Sequence, residues 1–154
     1  MFMKKISYFI LFIFAVIACE EVYDPPPQAL LEAKIIHSDP EVTSIPKVSV
    51  YGVDQDSIWI YQEQTSTFRL PLSVQESSSF VVLLDSIVDT LTIFHENELK
   101  YESMESGFYN EHWISDVEHS LIRIDSVVVT DSAVTKNWHE NIQLYISTLA
   151  AVNN

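Results

Sequence analysis

Short apolar stretches alternate with polar residues along most of this chain, and they are the main evidence for its fold. In the clearest example Leu31, Ala33 and Ile35 alternate with Glu32 and Lys34, a period of two that predicts a strand with one buried face. No stretch combines a long 3.6-residue period with helix caps, so a helix-dominated fold is not expected. Strand-length runs with turn residues every 8–12 or so positions predict an all-β domain. We expect an antiparallel β-sandwich, immunoglobulin-like or similar, of about seven to nine strands.

Turn residues divide the chain into its predicted strands. Asp54-Gln55-Asp56 predicts a hairpin turn rather than a calcium loop, because the glycine and the later ligands of an EF-hand are absent. Glu96-Asn97-Glu98 predicts a second hairpin turn. Pro71 predicts an edge strand or a bulge, since proline cannot donate a sheet hydrogen bond. The candidate strand segments, of which 108–114 has the weakest pattern, are 31–36, 48–53, 57–61, 67–72, 80–84, 90–95, 99–103, 108–114, 121–130 and 141–146.

The first 18 residues follow a different pattern. Two lysines precede an apolar run that is too short for a comfortable transmembrane helix. A basic start, a short apolar stretch and a small residue before the cut predict a signal peptide over residues 1–18. The sequence Val16-Ile17-Ala18-Cys19 resembles the lipobox of bacterial lipoproteins. That resemblance implies a diacylglyceryl group on the sulfur of Cys19, removal of the leader and an acyl chain, such as palmitate, on the new amino terminus.

The mature chain is predicted to have three parts. Residues 19–27 combine acidic residues with Pro25-Pro26-Pro27, which favours an extended, fairly stiff tether that holds the domain away from a bilayer. The β-sandwich domain is predicted to cover residues 28–147, and residues 148–154 are predicted to be a C-terminal tail. The lipobox resemblance places the protein in a bacterial cell envelope, at the outer membrane, with the periplasmic and the surface-exposed sides both open.

Charge and cysteine content narrow the possible partners. The chain has 8 Lys and Arg against 22 Asp and Glu, a net charge of −14, and loss of a leader that contains Lys4 and Lys5 would take it to −16. Such a chain repels phosphates, so nucleic acid is not expected as a partner. It is equally unsuited to lie flat on anionic lipid, so the covalent lipid must provide the anchor. With Cys19 as the only cysteine, no intramolecular disulfide can form.

The sequence contains no recognisable catalytic or cofactor motif. Nucleophile elbows, glycine-rich phosphate loops and HExxH are all missing, so we expect neither an enzyme nor a cofactor. The five histidines lack the spacing of metal ligands, because a zinc site needs three or four converging side chains. We interpret them as surface or capping groups. They are His37, His95, His112, His119 and His139.

Aromatic residues are the best candidates for a binding surface. Trp59 and Tyr61 share one face of their predicted strand, and Ile58 and Ile60 share the other. If the isoleucines face the core, the two aromatics form an exposed platform that can stack on a sugar ring or a protein partner. The alternative is that the strand is buried on both sides, or that its aromatics cover the sandwich edge. Trp113 and Trp138 are predicted near strand ends, where a tryptophan can serve an interface or close the core.

Several segments occur together in a recognisable order after the lipobox. They are Leu70-Pro71-Leu72, Asp89-Thr90-Leu91-Thr92-Ile93, Ser106-Gly107-Phe108, Ile124-Asp125-Ser126-Val127-Val128-Val129 and Asn141-Ile142-Gln143-Leu144-Tyr145-Ile146. In this arrangement the chain resembles a family of small Bacteroidota lipoproteins classified only as a domain of unknown function. The resemblance implies an envelope location and an all-β fold. It implies no activity and no functional residues.

These observations predict an uncharacterised envelope lipoprotein without catalytic activity. The first hypothesis is a structural or protein-interaction module whose β-sandwich binds another envelope protein. The alternative is a surface module that binds a glycan or another small ligand through Trp59 and Tyr61. A long open edge strand would favour the first hypothesis, and an exposed aromatic face would favour the second.

Overall fold

The structure is a computed structural model that describes residues 25–55 and 57–148. Within these residues the chain forms ten β-strands in two sheets, which confirms the predicted all-β sandwich. In chain order the strands are β1 (Leu30–His37), β2 (Lys47–Gly52), β3 (Ile58–Gln64), β4 (Thr67–Pro71), β5 (Ser77–Leu84), β6 (Ile87–Ser103), β7 (Gly107–His119), β8 (Ile124–Val129), β9 (Ala133–Val134) and β10 (Glu140–Ile146).

Several sequence predictions concern residues outside this range. The signal peptide, the lipidated Cys19, the first part of the tether, Asp56 and residues 149–154 all lie outside the described residues. The lipid anchor and the C-terminal tail therefore stay predictions.

The two sheets have four and six strands. The four-stranded sheet has the order β4-β1-β10-β8, and the six-stranded sheet has the order β3-β2-β5-β6-β7-β9. All strand pairs described are antiparallel except β1 with β10, which run parallel at the centre of the four-stranded sheet. The first and last strands of the described chain are thus neighbours. Their pairing spans more than 100 positions of sequence, so local patterning could not have revealed its direction.

The core lies between the sheets and follows the alternation in the sequence. Leu31, Ala33 and Ile35 of β1 are buried while their neighbours are not. The same period of two buries Phe80, Val82 and Leu84 of β5. Because alternate side chains of a strand point to opposite faces, one face of each sheet supplies the core and the other meets water.

Strands β6 and β7 differ most from the prediction. The hairpin turn expected at Glu96-Asn97-Glu98 is wrong, because β6 runs without interruption through these residues to Ser103. The weak pattern at 108–114 belongs to β7, which has 13 residues. Beyond the last pair of β6 with β5 these two strands continue as a two-stranded ribbon, which β9 borders only at its base, where His112 pairs with Val134. Here this ribbon, residues 97–103 and 107–112 with the turn between them, is called the arm.

Smaller differences occur at strand ends. Leu121 and Ile122 were predicted to open a strand, but they lie exposed in the bend before β8. The two-residue strand β9 was not predicted. Pro71 does lie on an edge strand, since β4 is the outer strand of the four-stranded sheet.

A buried carboxylate fixes the crossing from β7 to β8, where the chain passes between the sheets. Asp89 of β6 is almost fully buried, and it accepts hydrogen bonds from the bend that makes the crossing. A carboxylate with several donors is strongly held, because each bond is charge-assisted. The donors are Ser120 Oγ at 2.6 Å and the backbone amides of Ile122, Arg123 and Ile124 at 3.1, 2.8 and 3.2 Å.

Candidate functional site

Trp59 lies where the edges of the two sheets meet. It belongs to β3, the outer strand of the six-stranded sheet, and its Nε1 donates to the backbone carbonyl of Arg69 on β4 at 2.8 Å. This hydrogen bond closes the seam between the two edges and occupies a backbone acceptor of β4. The side chain is nevertheless 49% exposed. The indole therefore fixes the seam and also presents a surface to solvent.

The other residues of β3 are mostly exposed. Ile60 is buried, while Trp59 and Tyr61 are exposed, as expected for isoleucines that face the core. Ile58 departs from this pattern and is exposed at the start of the strand, where the register with β2 shifts. Tyr61 is 65% exposed. The clefts described next are lined by Trp59 and not by Tyr61, so a binding role for the pair stays a prediction.

A cleft of about 460 Å³ opens beside Trp59, between the loops that follow β2 and β4. None of the described residues that line it is charged. Within the described structure the amide side chains of Gln55 and Gln75 make no hydrogen bond, so their donors and acceptors are available to a ligand. Such a lining suits a neutral ligand with several hydroxyl groups. The polar residues of the cleft are Gln55, Ser57, Ser73, Gln75, Ser77, Ser78 and Ser79, and the larger apolar ones are Val53, Trp59, Pro71, Leu72 and Phe80.

A groove of about 520 Å³ lies on the other side of Leu72. One wall is the N-terminal segment 25–30, and the opposite wall is the β7 strand of the arm, from Phe108 near the tip to His112 at the base. Trp59, Pro71 and Leu72 line both the cleft and the groove. These three residues thus form the ridge between the two openings.

A polar network lies at the base of the arm, where the exposed Asn97 joins two buried imidazoles. Asn97 Nδ2 donates to the carbonyls of Val74 and Gln75, both at 2.9 Å. This orientation turns Oδ1 toward two imidazoles, His95 Nδ1 at 2.9 Å and His112 Nδ1 at 2.5 Å. Since the amide oxygen can only accept, both rings must carry a proton on Nδ1. Asn97 therefore joins two strands of the arm to the loop after β4.

The network continues from His95 toward the cleft. Ser78 Oγ is 3.0 Å from His95 Nε2 and accepts a hydrogen bond from the backbone amide of Ser73 at 2.8 Å. With Nδ1 already protonated, a neutral His95 accepts at Nε2, and the Ser78 hydroxyl is the donor. Because Ser78 lines the cleft and His112 lines the groove, the chain of hydrogen bonds runs from one opening to the other.

Burial keeps both of these imidazoles neutral. Burial, together with a smaller effect of the neighbouring His95, lowers the pKa of His112 to about 4. Burial also lowers the pKa of His95, although the hydrogen bond with Asn97 acts in the opposite direction. The two rings meet edge to face, with centroids 5.0 Å apart. The interpretation of His95 and His112 as surface or capping groups is therefore wrong.

The other three histidines bond to loops. His37 Nε2 lies 2.7 Å from the carbonyl of Ser44, and His119 Nδ1 lies 2.9 Å from that of Ser120. His139 pairs with Asp131 at 3.0 Å, and its pKa is raised, mainly by a backbone hydrogen bond with Asn137. Among the described residues no group of three or more His, Cys, Asp or Glu is placed to hold a metal ion.

Trp138 lies beside the N-terminal segment, whereas Trp113 lies within β7 beside the arm, so its predicted position near a strand end is wrong. Trp138 Nε1 donates to the carbonyl of Gln28 at 2.8 Å, and the guanidinium of Arg69 lies 4.4 Å above its ring. The ammonium of Lys100 lies 5.8 Å from the ring of Trp113. Trp138 thus ties the N-terminal segment to the loop before β10, a closing contact of the kind that the sequence left open.

These features define the protein as a β-sandwich domain with a neutral, hydroxyl-lined cleft at the seam between its sheets. The chain belongs to a family of unknown function (DUF6452), whose model matches residues 47–146. The match runs from β2 through β10 and includes Trp59, Asn97 and both buried histidines. The sequence predicted membership in a family of unknown function, and this match confirms that membership. No curated protein and no solved structure matches the chain.

Among the residues that the structure describes, no helix is long and apolar enough to span a membrane.

Proposed function

We propose that this protein is a lipid-anchored, non-catalytic binding module of the bacterial cell envelope. In this proposal Cys19 carries diacylglycerol and acyl chains at the outer membrane of a member of the Bacteroidota. The sandwich binds an extended segment of another envelope protein along β3. The leader with its lipobox supports the anchor, and the resemblance to small Bacteroidota lipoproteins supports the source.

The observation that carries the binding role is the open edge of β3. Among the described residues this strand pairs only with β2 and is the outer strand of its sheet, so its second row of backbone groups is available to another strand. It presents Ile58, Trp59 and Tyr61, all exposed. Natural edge strands usually carry charges or prolines that prevent pairing, and three large apolar residues on a seven-residue edge favour a protein partner.

The other outer strands of the sandwich suit a partner less well. On β4 the hydrogen bond from Trp59 occupies the carbonyl of Arg69, and Pro71 cannot donate. On β9 only two residues are available. An added strand therefore has its longest neighbour at β3 or β8. β3 is irregular, with two register shifts in its pairing with β2, but it carries the larger apolar side chains.

In-cell photo-cross-linking tests this proposal. A photoreactive amino acid at Tyr61 should give a discrete cross-linked envelope protein, whereas the same residue at Val128, on the outer strand β8, should not. Tyr61 and Val128 are both exposed on edge strands, which makes them a matched pair. Equal products at the two positions, or none at Tyr61, would count against binding at β3.

The anchor is tested separately. Replacement of Cys19 by alanine should abolish acyl labelling and release the protein from the membrane fraction. Retention of the Cys19→Ala variant in that fraction would refute lipid anchoring.

A second candidate function is binding of a neutral glycan or polyol in the cleft. The uncharged lining with free glutamine amides and serine hydroxyls beside an indole favours it. Sugars that bind there should change the emission of Trp59, and the change should be absent in Trp59→Phe. Gln75→Ala should weaken such binding and Tyr61→Ala should not, because Tyr61 does not line the cleft. If Tyr61→Ala weakened sugar binding and Gln75→Ala did not, the ligand would bind along β3 and not in the cleft.

A further inference from the structure

The arm is an amphipathic ribbon. Paired residues of an antiparallel ribbon share a face, so the pairs Tyr101 with Phe108 and Leu99 with Asn110 lie on one side. Leu99, Tyr101 and Phe108 are exposed there, and the rings of Tyr101 and Phe108 pack at 5.2 Å between centroids. Met104, in the turn at the tip, is 90% exposed. The arm thus presents a continuous apolar rim that no other described residue covers.

The opposite face of the arm is polar and is held to the sandwich. Lys136, in the loop before β10, forms an ion pair with Glu102 at 2.6 Å, and its ammonium lies 5.7 Å from the ring of Tyr109. Lys100 pairs with Glu98 on the same face. The ion pair of Lys136 with Glu102 links the sandwich to a ribbon that would be marginal by itself, since two strands alone are barely stable in water. The apolar face of the arm continues the side of the sheet that carries the buried His112, and its exposed part borders the N-terminal segment.

The segment that leads to the lipid runs along the apolar face. Residues 25–27 line the groove together with Phe108, Asn110 and His112, which all belong to that face. Cys19 lies six positions before Pro25, so an extended chain can separate them by at most about 20 Å. The arm from Asn97 to Ser103 is also about 20 Å long. A lipid on Cys19 therefore brings the bilayer within the length of the arm.

We propose that the tip and apolar face of the arm enter the headgroup region of the bilayer beside the lipid anchor and form a second membrane contact. This inference rests on lipidation of Cys19. The apolar side chains would lie about 5–10 Å deep, at the boundary between headgroups and acyl chains, where aromatic and aliphatic residues are favoured. Glu105 at the tip sets the limit of insertion, since a carboxylate remains at the polar surface. With so acidic a chain, the preferred surface is neutral rather than anionic lipid.

Depth measurements on the full lipidated protein test this contact. Because lipid would occupy the only native thiol, a cysteine introduced at Met104 or Leu99 can be labelled alone with an environment-sensitive fluorophore. Leu121, equally exposed in the bend at the opposite end of β7, is the matched control. In phosphatidylcholine vesicles, probes at Met104 and Leu99 should be quenched several-fold more by spin-labelled lipid than a probe at Leu121. Phe108→Ser should reduce the quenching at Met104.

Each other outcome overturns the inference in a distinct way. In one outcome the protein is acylated and bound to vesicles, but aqueous iodide quenches the probes at positions 104 and 121 equally. The arm then lies in water, and only the lipid anchor holds the protein at the membrane. If the Met104 probe is shielded from iodide without being quenched by lipid, a second copy of the chain covers the arm. If the wild-type chain carries no acyl group and does not bind vesicles, the proposed anchor fails and the inference fails with it.

Discussion

Asn97 provides a sharp test of the structure, because one side chain holds four groups together. In Asn97→Ala the Nδ1–H groups of His95 and His112 lose their acceptor while both rings remain almost fully buried. The carbonyls of Val74 and Gln75 lose a donor as well. These carbonyls belong to exposed residues and can bond to water instead. The main cost is therefore that of the two imidazole donors.

The magnitude follows from those two donors. A buried polar group left without a partner costs about 1–3 kcal/mol. Because Asn97 is itself exposed, water can replace it for at least one of the two donors, so Asn97→Ala should lower the free energy of unfolding by about 1–3 kcal/mol. That is a substantial part of the 5–15 kcal/mol or so typical of a single domain. With a urea m-value of about 2 kcal/mol/M, the unfolding midpoint should fall by about 0.5–1.5 M.

Equilibrium urea unfolding at pH 7.5 or so, above the pKa of a free imidazole, is the assay. Asn110→Ala is the matched control, since Asn110 lies on the same face of the same hairpin and its side chain makes no hydrogen bond in the described structure. It should change the free energy of unfolding by no more than about 0.5 kcal/mol. Equal effects of the two substitutions would refute the network, because the imidazole donors would then have an alternative partner such as water.

Three further predictions concern buried groups elsewhere in the fold. Since the pKa of His112 is about 4 in the folded chain and about 6.5 unfolded, the unfolded state binds more protons between these values. Stability should then fall by at most about 3 kcal/mol as the pH drops from 6.5 to 4, and His112→Gln should flatten this slope in pH-dependent urea titrations. Asp89→Asn should lower the free energy of unfolding by about 2–3 kcal/mol, because an amide cannot accept all four donors. Glu118→Gln, at an exposed position, is the control. Similar unfolding midpoints for the two variants would show that the hydrogen bonds of Asp89 do not hold the crossing. Leu144→Ala, in the fully buried centre of the four-stranded sheet, should cost about 2–5 kcal/mol in the same assay, and a cost below 1 kcal/mol or so would show that the core collapses around the gap.

The alternation of apolar residues was a good guide to the strands and to their buried faces. β1 and β5 show the reason, because each buries every second side chain against the opposite sheet. It was a poor guide to strand ends and to pairing. The parallel partnership of β1 and β10 brings together residues such as Ile35 and Leu144, and two apolar runs look the same in sequence whichever direction they run.

The false turn at Glu96-Asn97-Glu98 and the missed site have one physical cause. Asparagine favours turns because its amide bonds to nearby backbone in isolation. In the folded chain the amide of Asn97 bonds instead to distant groups, including His112 on the next strand and the loop after β4. Those partners come within reach only through the register that pairs Asn97 with His112. The turn preference and the network thus compete for the same side chain, and tertiary pairing decides the outcome.

The same register explains why the candidate surfaces could not be read from the sequence. Trp59 was identified from its strand face, but its hydrogen bond to Arg69 depends on how two edge strands from different sheets meet. The cleft then takes serines and glutamines from loops that no local pattern connects. The exposed rim of the arm depends likewise on β6 continuing past its last contact with β5. The sequence shows which face of its own strand a side chain occupies. The contacts that a side chain makes with strands of the other sheet follow only from the topology.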